Sequence, residues 1–244
     1  MDCSAKLNNI GIQAIVEGKY LQAISLLKEA LDVKASLLSC SEELAVDAQQ
    51  LPQTPCSLLS PHRGPDSCLH STISRGHEET FVYKRGFFIT RMSKNQDAGT
   101  LNPTASSASN VMESAALLFN MALAFHLNST YEGAGSLTSI VARKKAAKLY
   151  KMSLGLVKHA AESTGSYNLT EVQVVLGILN NLGEIHHNLG EYDLSARCFS
   201  SLSDMLRVAM NMGTPHAGFD CDDWAGLVMN VMLLTSAPKF ASAA

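Results

Sequence analysis

A chain of 244 residues, 46% of them apolar, can bury a substantial core, and it reads as one elongated domain rather than two globular ones. Its formal net charge of −3 argues against nucleic acid as a partner, a role that draws a basic face and a high pI. Residues 1–10 lack the basic start and apolar run of a secretory signal, and no stretch approaches the ~20 apolar residues that cross a bilayer. The expectation is a soluble cytoplasmic protein with no membrane partner, the nucleus also remaining open.

The first pattern occupies 5–40. Leu7-Asn8-Asn9-Ile10-Gly11 is followed by Gly18-Lys19-Tyr20 and then by Ala23, Leu27 and Ala30. That order predicts a helix, a tight turn and a second helix packed back on the first. Gly11 stands where a missing side chain lets the helices approach, and Gly18 ends the first helix, where a left-handed cap costs glycine little. Ile24, Leu27, Ala30 and Leu31 recur at helical spacing, leaving Lys28 and Glu29 to solvent.

Residues 41–110 read as an insertion. Ser41 to Val46 can add a helical turn or two, but from Leu51 the composition changes. Pro52, Pro55, Pro61 and Pro65 stand among serines and histidines with no apolar period, so 51–78 is expected to be a mobile loop, as is the stretch from Ser93 to Asn110. Between them lies Thr80-Phe81-Val82-Tyr83-Lys84-Arg85-Gly86-Phe87-Phe88-Ile89-Thr90. Apart from Lys84-Arg85-Gly86 its residues are aromatic or β-branched, which suits an extended strand. An all-helical chain offers no sheet for it to join, and so many apolar side chains in water would be an aggregation hazard. It is therefore expected to pack on the helical surface.

A more divergent copy spans 111–163. It opens with Leu118-Phe119-Asn120-Met121-Ala122 and Phe125, and its second helix carries Ala146, Tyr150 and Ser153 in the places of Ala23, Leu27 and Ala30. The copy at 170–211 is close to the first: Leu179-Asn180-Asn181-Leu182-Gly183, then Gly190-Glu191-Tyr192, then Ser195, Phe199 and Leu202. Thr170-Glu171-Val172-Gln173 has the form of a capping box. A last helix over 222–234, with Asn230 in the asparagine place and Asp220 to Asp223 supplying a capping carboxylate, would cover the apolar end of the stack.

This layout resembles the tetratricopeptide repeat, a 34-residue helix-turn-helix unit with a Leu-Gly, Gly-x-Tyr, Ala, Phe, Ala signature, most closely over 7–40 and 178–211. The resemblance implies an all-α fold, a short right-handed α-α superhelix of helical hairpins, and a non-catalytic scaffold that binds a protein or peptide in a concave groove.

The candidate chemistry is sparse. Cys56, His62, Cys68, His70 and His77 are separated by five, five, one and six residues, which matches no zinc module, and the six cysteines form no regular framework. The sequons at Asn128 and Asn168 read as chance matches. Lys144, Lys148 and Lys151 share a helical face that suits solvent. No phosphate loop, nucleophile elbow or His-Glu-x-x-His pattern occurs, so neither cofactor, metal nor catalytic residue is expected. His186 falls where Phe125 falls in the preceding copy and suits packing.

The asparagines carry more. Asn9, Asn120, Asn181 and Asn230 hold one place in successive openings, which in the family this chain resembles looks toward the groove, an arrangement similar to the asparagine ladder of kinesin light chain repeats. A carboxamide offers a donor and an acceptor to any main chain, so these four, with Phe125 and His186, are the peptide-groove candidates. The alternative is that they bond within the helical stack. Two functional expectations follow: a groove open to a partner peptide, or a groove filled by the chain's own pseudo-ligand, Phe81, Val82, Tyr83, Phe87, Phe88 and Ile89. The absence of a cationic residue beside each asparagine argues against a clamp for a C-terminal carboxylate.

Overall fold

A computed structural model describes residues 3–44, 57–61, 80–91, 103–131, 136–212 and 219–235. Among the described residues there are seven helices: α1 (Cys3–Val16), α2 (Tyr20–Leu44), α3 (Pro103–Tyr131), α4 (Leu137–Thr164), α5 (Leu169–Asn188), α6 (Tyr192–Asn211) and α7 (Cys221–Thr235). The described residues also include two strands, β1 (Ser57–Pro61) and β2 (Phe87–Arg91), which pair antiparallel with Leu59 opposite Ile89. The chain divides into two compact units, the first made of 1–62 and 84–171, the second of 63–83 and 172–244.

In the first unit α1 and α2 form a hairpin, α2 packs on α3, and α3 on α4. The turn after α1 closes because Gly18 adopts φ 73°, letting its N–H donate to Ile15 O at 3.0 Å while Lys19 N–H donates to Ala14 O at 2.8 Å. These two bonds satisfy carbonyls that a helix end otherwise leaves orphaned. A Cβ on Gly11 would stand 2.8 Å from Leu27 Cγ, so the small residue sets how closely α2 approaches. Between α3 and α4, Phe119 meets Tyr150 edge-on at 5.4 Å and Ser153 Oγ donates to Ala115 O at 2.7 Å. Lys34 of α2 and Glu113 of α3 form a buried ion pair, with Asn110 Oδ1 accepting from Lys34 Nζ at 3.3 Å. Each charge thereby has a partner, without which burial would be costly.

The second unit repeats the hairpin with α5 and α6. Gly190 takes φ 75°, its N–H donates to His187 O, and Glu191 N–H donates to His186 O at 2.8 Å. A Cβ on Gly183 would lie 2.6 Å from Phe199 Cζ, and Ser195 Oγ donates to Gly183 O at 2.8 Å. α7 packs on α6, capped where Asp223 N–H donates to Asp220 Oδ1 at 2.8 Å.

Three expectations need correction. The insertion is shorter than 41–110, because α2 runs to Leu44 and α3 starts at Pro103, a residue whose fixed φ and missing N–H suit a first helical position. The stretch 51–78 contains structure at Ser57–Pro61, which pairs with the aromatic segment although the sequence pattern offers that segment no sheet to join. It escapes a pattern search because Ser-Leu-Leu-Ser-Pro neither alternates nor carries β-branched residues. The capping box stands two residues earlier than expected. Asn168 Oδ1 accepts from Glu171 N–H at 3.0 Å and Glu171 Oε2 accepts from Asn168 N–H at 2.8 Å. Burial, outweighing that bond from Asn168, raises Glu171 above the usual carboxylate range.

Candidate functional site: two asparagine clasps

The first unit holds Phe87 and Ile89 by their main chain. Asn120 on α3 takes Phe87 twice: its Oδ1 accepts from Phe87 N–H at 2.8 Å and its Nδ2 donates to Phe87 O at 2.9 Å. Asn8 on α1 adds a second donor to the same carbonyl at 3.1 Å. Asn9 takes Ile89 in the same double fashion, accepting from its N–H and donating to its C=O, both at 3.0 Å. The carboxamides also hold one another, Asn120 Nδ2 donating to Asn8 Oδ1 at 2.8 Å and Asn8 Nδ2 to Asn9 Oδ1 at 3.1 Å. Each Oδ1 is thereby turned to a donor and each Nδ2 to an acceptor, which fixes the orientation of every amide in the set.

Strand geometry explains why alternate residues are taken. In an antiparallel pair the N–H and C=O of one residue face the same edge and those of the next residue face the other. Phe87 and Ile89 turn to the carboxamides, while Phe88 and Thr90 turn to β1, opposite Ser60 and Leu58. Asparagine side chains thus serve β2 as a neighbouring strand would. Phe87 and Ile89 are buried, and the Phe87 ring meets Phe119 edge-on at 5.0 Å. A Cβ on Gly86 would fall 2.9 Å from Ile12 Cγ1 and 3.1 Å from Asn120 Oδ1.

The second unit makes the same clasp with Phe81 and Tyr83. Asn230 on α7 takes Phe81, Oδ1 accepting from its N–H at 2.9 Å and Nδ2 donating to its carbonyl at 2.6 Å, with Asn180 of α5 donating to that carbonyl at 2.9 Å. Asn181 takes Tyr83, accepting from N–H at 2.8 Å and donating to C=O at 2.9 Å. Asn230 Nδ2 donates to Asn180 Oδ1 at 2.8 Å, and Asn180 Nδ2 to Asn181 Oδ1 at 3.1 Å. Asn230, Asn180 and Asn181 therefore correspond one for one to Asn120, Asn8 and Asn9. In both clasps the residue held by the later helix comes first, so the captured chain runs in the same sense through each.

The surroundings differ. Tyr83 is buried and meets Phe219 edge-on at 5.4 Å. Phe81 lies where a Cβ on Gly226 would come within 2.4 Å of its ring, so here the space belongs to the helix rather than to the segment. Thr80 Oγ1 donates to Glu184 Oε1 at 3.5 Å, and Asn188 Nδ2 also donates to that oxygen. None of the six asparagines titrates, so the bonding within each clasp carries no charge.

Four of the candidates named from sequence, Asn9, Asn120, Asn181 and Asn230, are thus brought onto the segment. The other two are placed elsewhere. Phe125 lies beneath Lys145, whose Nζ stands 5.6 Å from the ring centroid. His186 is buried and pairs through Nδ1 with Glu191 at the turn into α6. The rings beside the segment are instead Phe119 and Phe219. Asn8 and Asn180 also bond to the segment and are the clasp residues that sequence reasoning passed over, and the doubled Asn-Asn in both close copies is the signal that could have found them. The cysteine and histidine set from Cys56 to His77 lies outside the described residues, among which no three potential metal ligands converge. No helix among the described residues is long and apolar enough to cross a membrane. No family model matches the chain, and neither a curated protein nor a solved structure does.

Proposed function

We propose that this protein is a non-catalytic interaction module of the tetratricopeptide kind, a short right-handed superhelix of helical hairpins that receives an extended peptide, and that it rests in a closed state with its own Phe81–Ile89 segment in the peptide's place. The observation that carries the reading is the bonding of N–H and C=O alike at Phe81, Tyr83, Phe87 and Ile89 by asparagine side chains. Carboxamides aimed at main chain recognise an extended backbone whatever its side chains, which is what a peptide receptor needs and a packed core does not. The recurring Gly18 and Gly190 turns, with Gly11 and Gly183 at the close helix contacts, support the family.

A partner would have to displace the segment, so its apparent affinity falls by the fraction of molecules that are open. The test is a fluorescence anisotropy titration with a labelled peptide of the sequence Thr80–Thr90. The parent chain should bind it weakly. A full-length variant with Phe81, Tyr83, Phe87 and Ile89 all changed to alanine, checked for native helicity, should bind about tenfold or more tightly. Equal and negligible binding by both proteins would reject the reading and leave the segment a permanent part of the core.

A further inference from the structure

The two clasps share one way of holding main chain but differ in how they make room for it, and the difference bears on what a partner must look like. In the second unit the room is provided by Gly226 of α7. In the first it is provided by the captured strand itself. Gly86 sits against Ile12 and against Asn120 Oδ1, the same oxygen that accepts from Phe87 N–H. A side chain there would push on the hydrogen-bonding atom as well as on the wall.

We infer that the first clasp selects partners carrying the pattern glycine, aromatic, any residue, aliphatic, in an extended segment running in the sense of Gly86–Ile89. The inference rests on the reading of the clasps as peptide-receiving sites and adds the identity of what they receive. Glycine is required at the first place because the gap is closed by Ile12, on a helix that also carries Asn8 and Asn9 and cannot shift without disturbing them. The aromatic residue is required at the second place by the edge of Phe119 at 5.0 Å, and Phe87 there is fully buried. The third place is permissive, since Phe88 is only half-buried and its backbone turns to β1. At the fourth, Ile89 is 1% exposed and held by Asn9, which admits an aliphatic side chain and excludes a charged one. A partner with this pattern also meets β1, so main-chain bonding is available on both of its edges.

The experiment uses the full-length chain with Phe87→Ala and Ile89→Ala, which empties the apolar places of the first clasp while leaving Asn8, Asn9 and Asn120 intact. Three labelled peptides of the sequence Lys84–Arg91 are titrated against it: the natural one, one with Gly86→Ala, and one with Phe88→Ala. The natural and Phe88→Ala peptides should bind alike, and Gly86→Ala should weaken binding by roughly ten- to a hundredfold, the range for overpacking a close contact. Adding Asn120→Ala to the protein should abolish binding of all three. Equal binding of the natural and Gly86→Ala peptides overturns the proposed selectivity while leaving the peptide-receiving reading intact. Failure of every peptide to bind a properly folded variant overturns both. Should that variant not fold, amide exchange in the otherwise unaltered chain carrying Gly86→Ala decides instead. Exchange at Phe87 and Ile89 faster by about tenfold or more supports the inference, and unchanged protection overturns it.

Discussion

Asn120 is the side chain on which the first clasp depends most, and the consequences of changing it can be worked out bond by bond. It is fully buried, and its carboxamide serves Phe87 N–H, Phe87 O and Asn8 Oδ1. In Asn120→Ala the carbonyl of Phe87 keeps the donor supplied by Asn8, while the N–H of Phe87 loses the acceptor Asn120 Oδ1 and Asn8 Oδ1 loses the donor Asn120 Nδ2. A buried group deprived of its bond costs about 1–3 kcal/mol, so the two lost bonds amount to at most roughly 2–6 kcal/mol if the strand stays in place. The strand can escape part of this by leaving, so the measured loss is bounded above by what the docked strand contributes. Asn120→Asp is the sharper variant because it preserves shape and puts an acceptor where Nδ2 donates two hydrogen bonds. Whichever way the carboxylate turns, it presents an acceptor to Phe87 O and Asn8 Oδ1. At neutral pH its cost should equal or exceed that of alanine. In acid the protonated carboxyl regains a donor and much of the loss should be recovered, the opposite of ordinary acid destabilisation. Urea denaturation at pH 7 and pH 4 is the assay. A loss below about 0.5 kcal/mol for both variants at pH 7 would be no more than a neutral surface change produces, and it would refute the assigned network.

Gly183→Leu should destabilise by about 1–3 kcal/mol or more in urea, since even a Cβ meets Phe199 at 2.6 Å, whereas Gly155→Ala, with no atom within 4 Å, should stabilise by about 0.5–1 kcal/mol through helix propensity. Glu171→Gln keeps the acceptor for Asn168 N–H and removes a carboxylate whose pKa burial holds above its ordinary value. A raised pKa means that the folded state is penalised once the group ionises. Thermal melts should therefore find the variant more stable than the parent near pH 7, the gap closing as the pH falls below the ordinary carboxylate value. Deleting Ser57–Pro61 should speed exchange at Phe88 and Thr90, which face β1, while removing 62–78 and keeping the strand shortens the connection between the strands roughly threefold and should change stability by only about 1 kcal/mol.

The helical hairpins were legible because their signals are local. Gly18 and Gly190 mark turns that need a positive φ, and Gly11 and Gly183 mark contacts that exclude a side chain, so one residue reports each feature. The asparagine places were legible as a row because Asn9, Asn120, Asn181 and Asn230 recur in register. The roles of Phe125 and His186 were not. A position equivalent in sequence can be taken by a local partner, here Lys145 for the one and Glu191 for the other. β1 was hidden for the opposite reason: its pairing with β2 depends on contacts across 26 to 34 positions of chain, and nothing in Ser-Leu-Leu-Ser-Pro advertises them. The capping box moved because Asn168 and Glu171 satisfy the same spacing as Thr170 and Gln173, and pattern alone does not choose between two frames offset by two residues.

The central claim is that the segment is held by carboxamides as a bound peptide would be, and residue-resolved amide exchange at Phe81, Tyr83, Phe87 and Ile89 tests it most directly. Each of these four N–H groups donates to an asparagine Oδ1, at 2.9, 2.8, 2.8 and 3.0 Å in turn. In the parent chain all four should exchange slowly. With Asn120→Ala and Asn181→Ala introduced together, Phe87 and Tyr83 should exchange faster by about tenfold or more while the helices keep their protection. Fast exchange at these amides in the parent, or protection that the two substitutions leave untouched, would contradict the account.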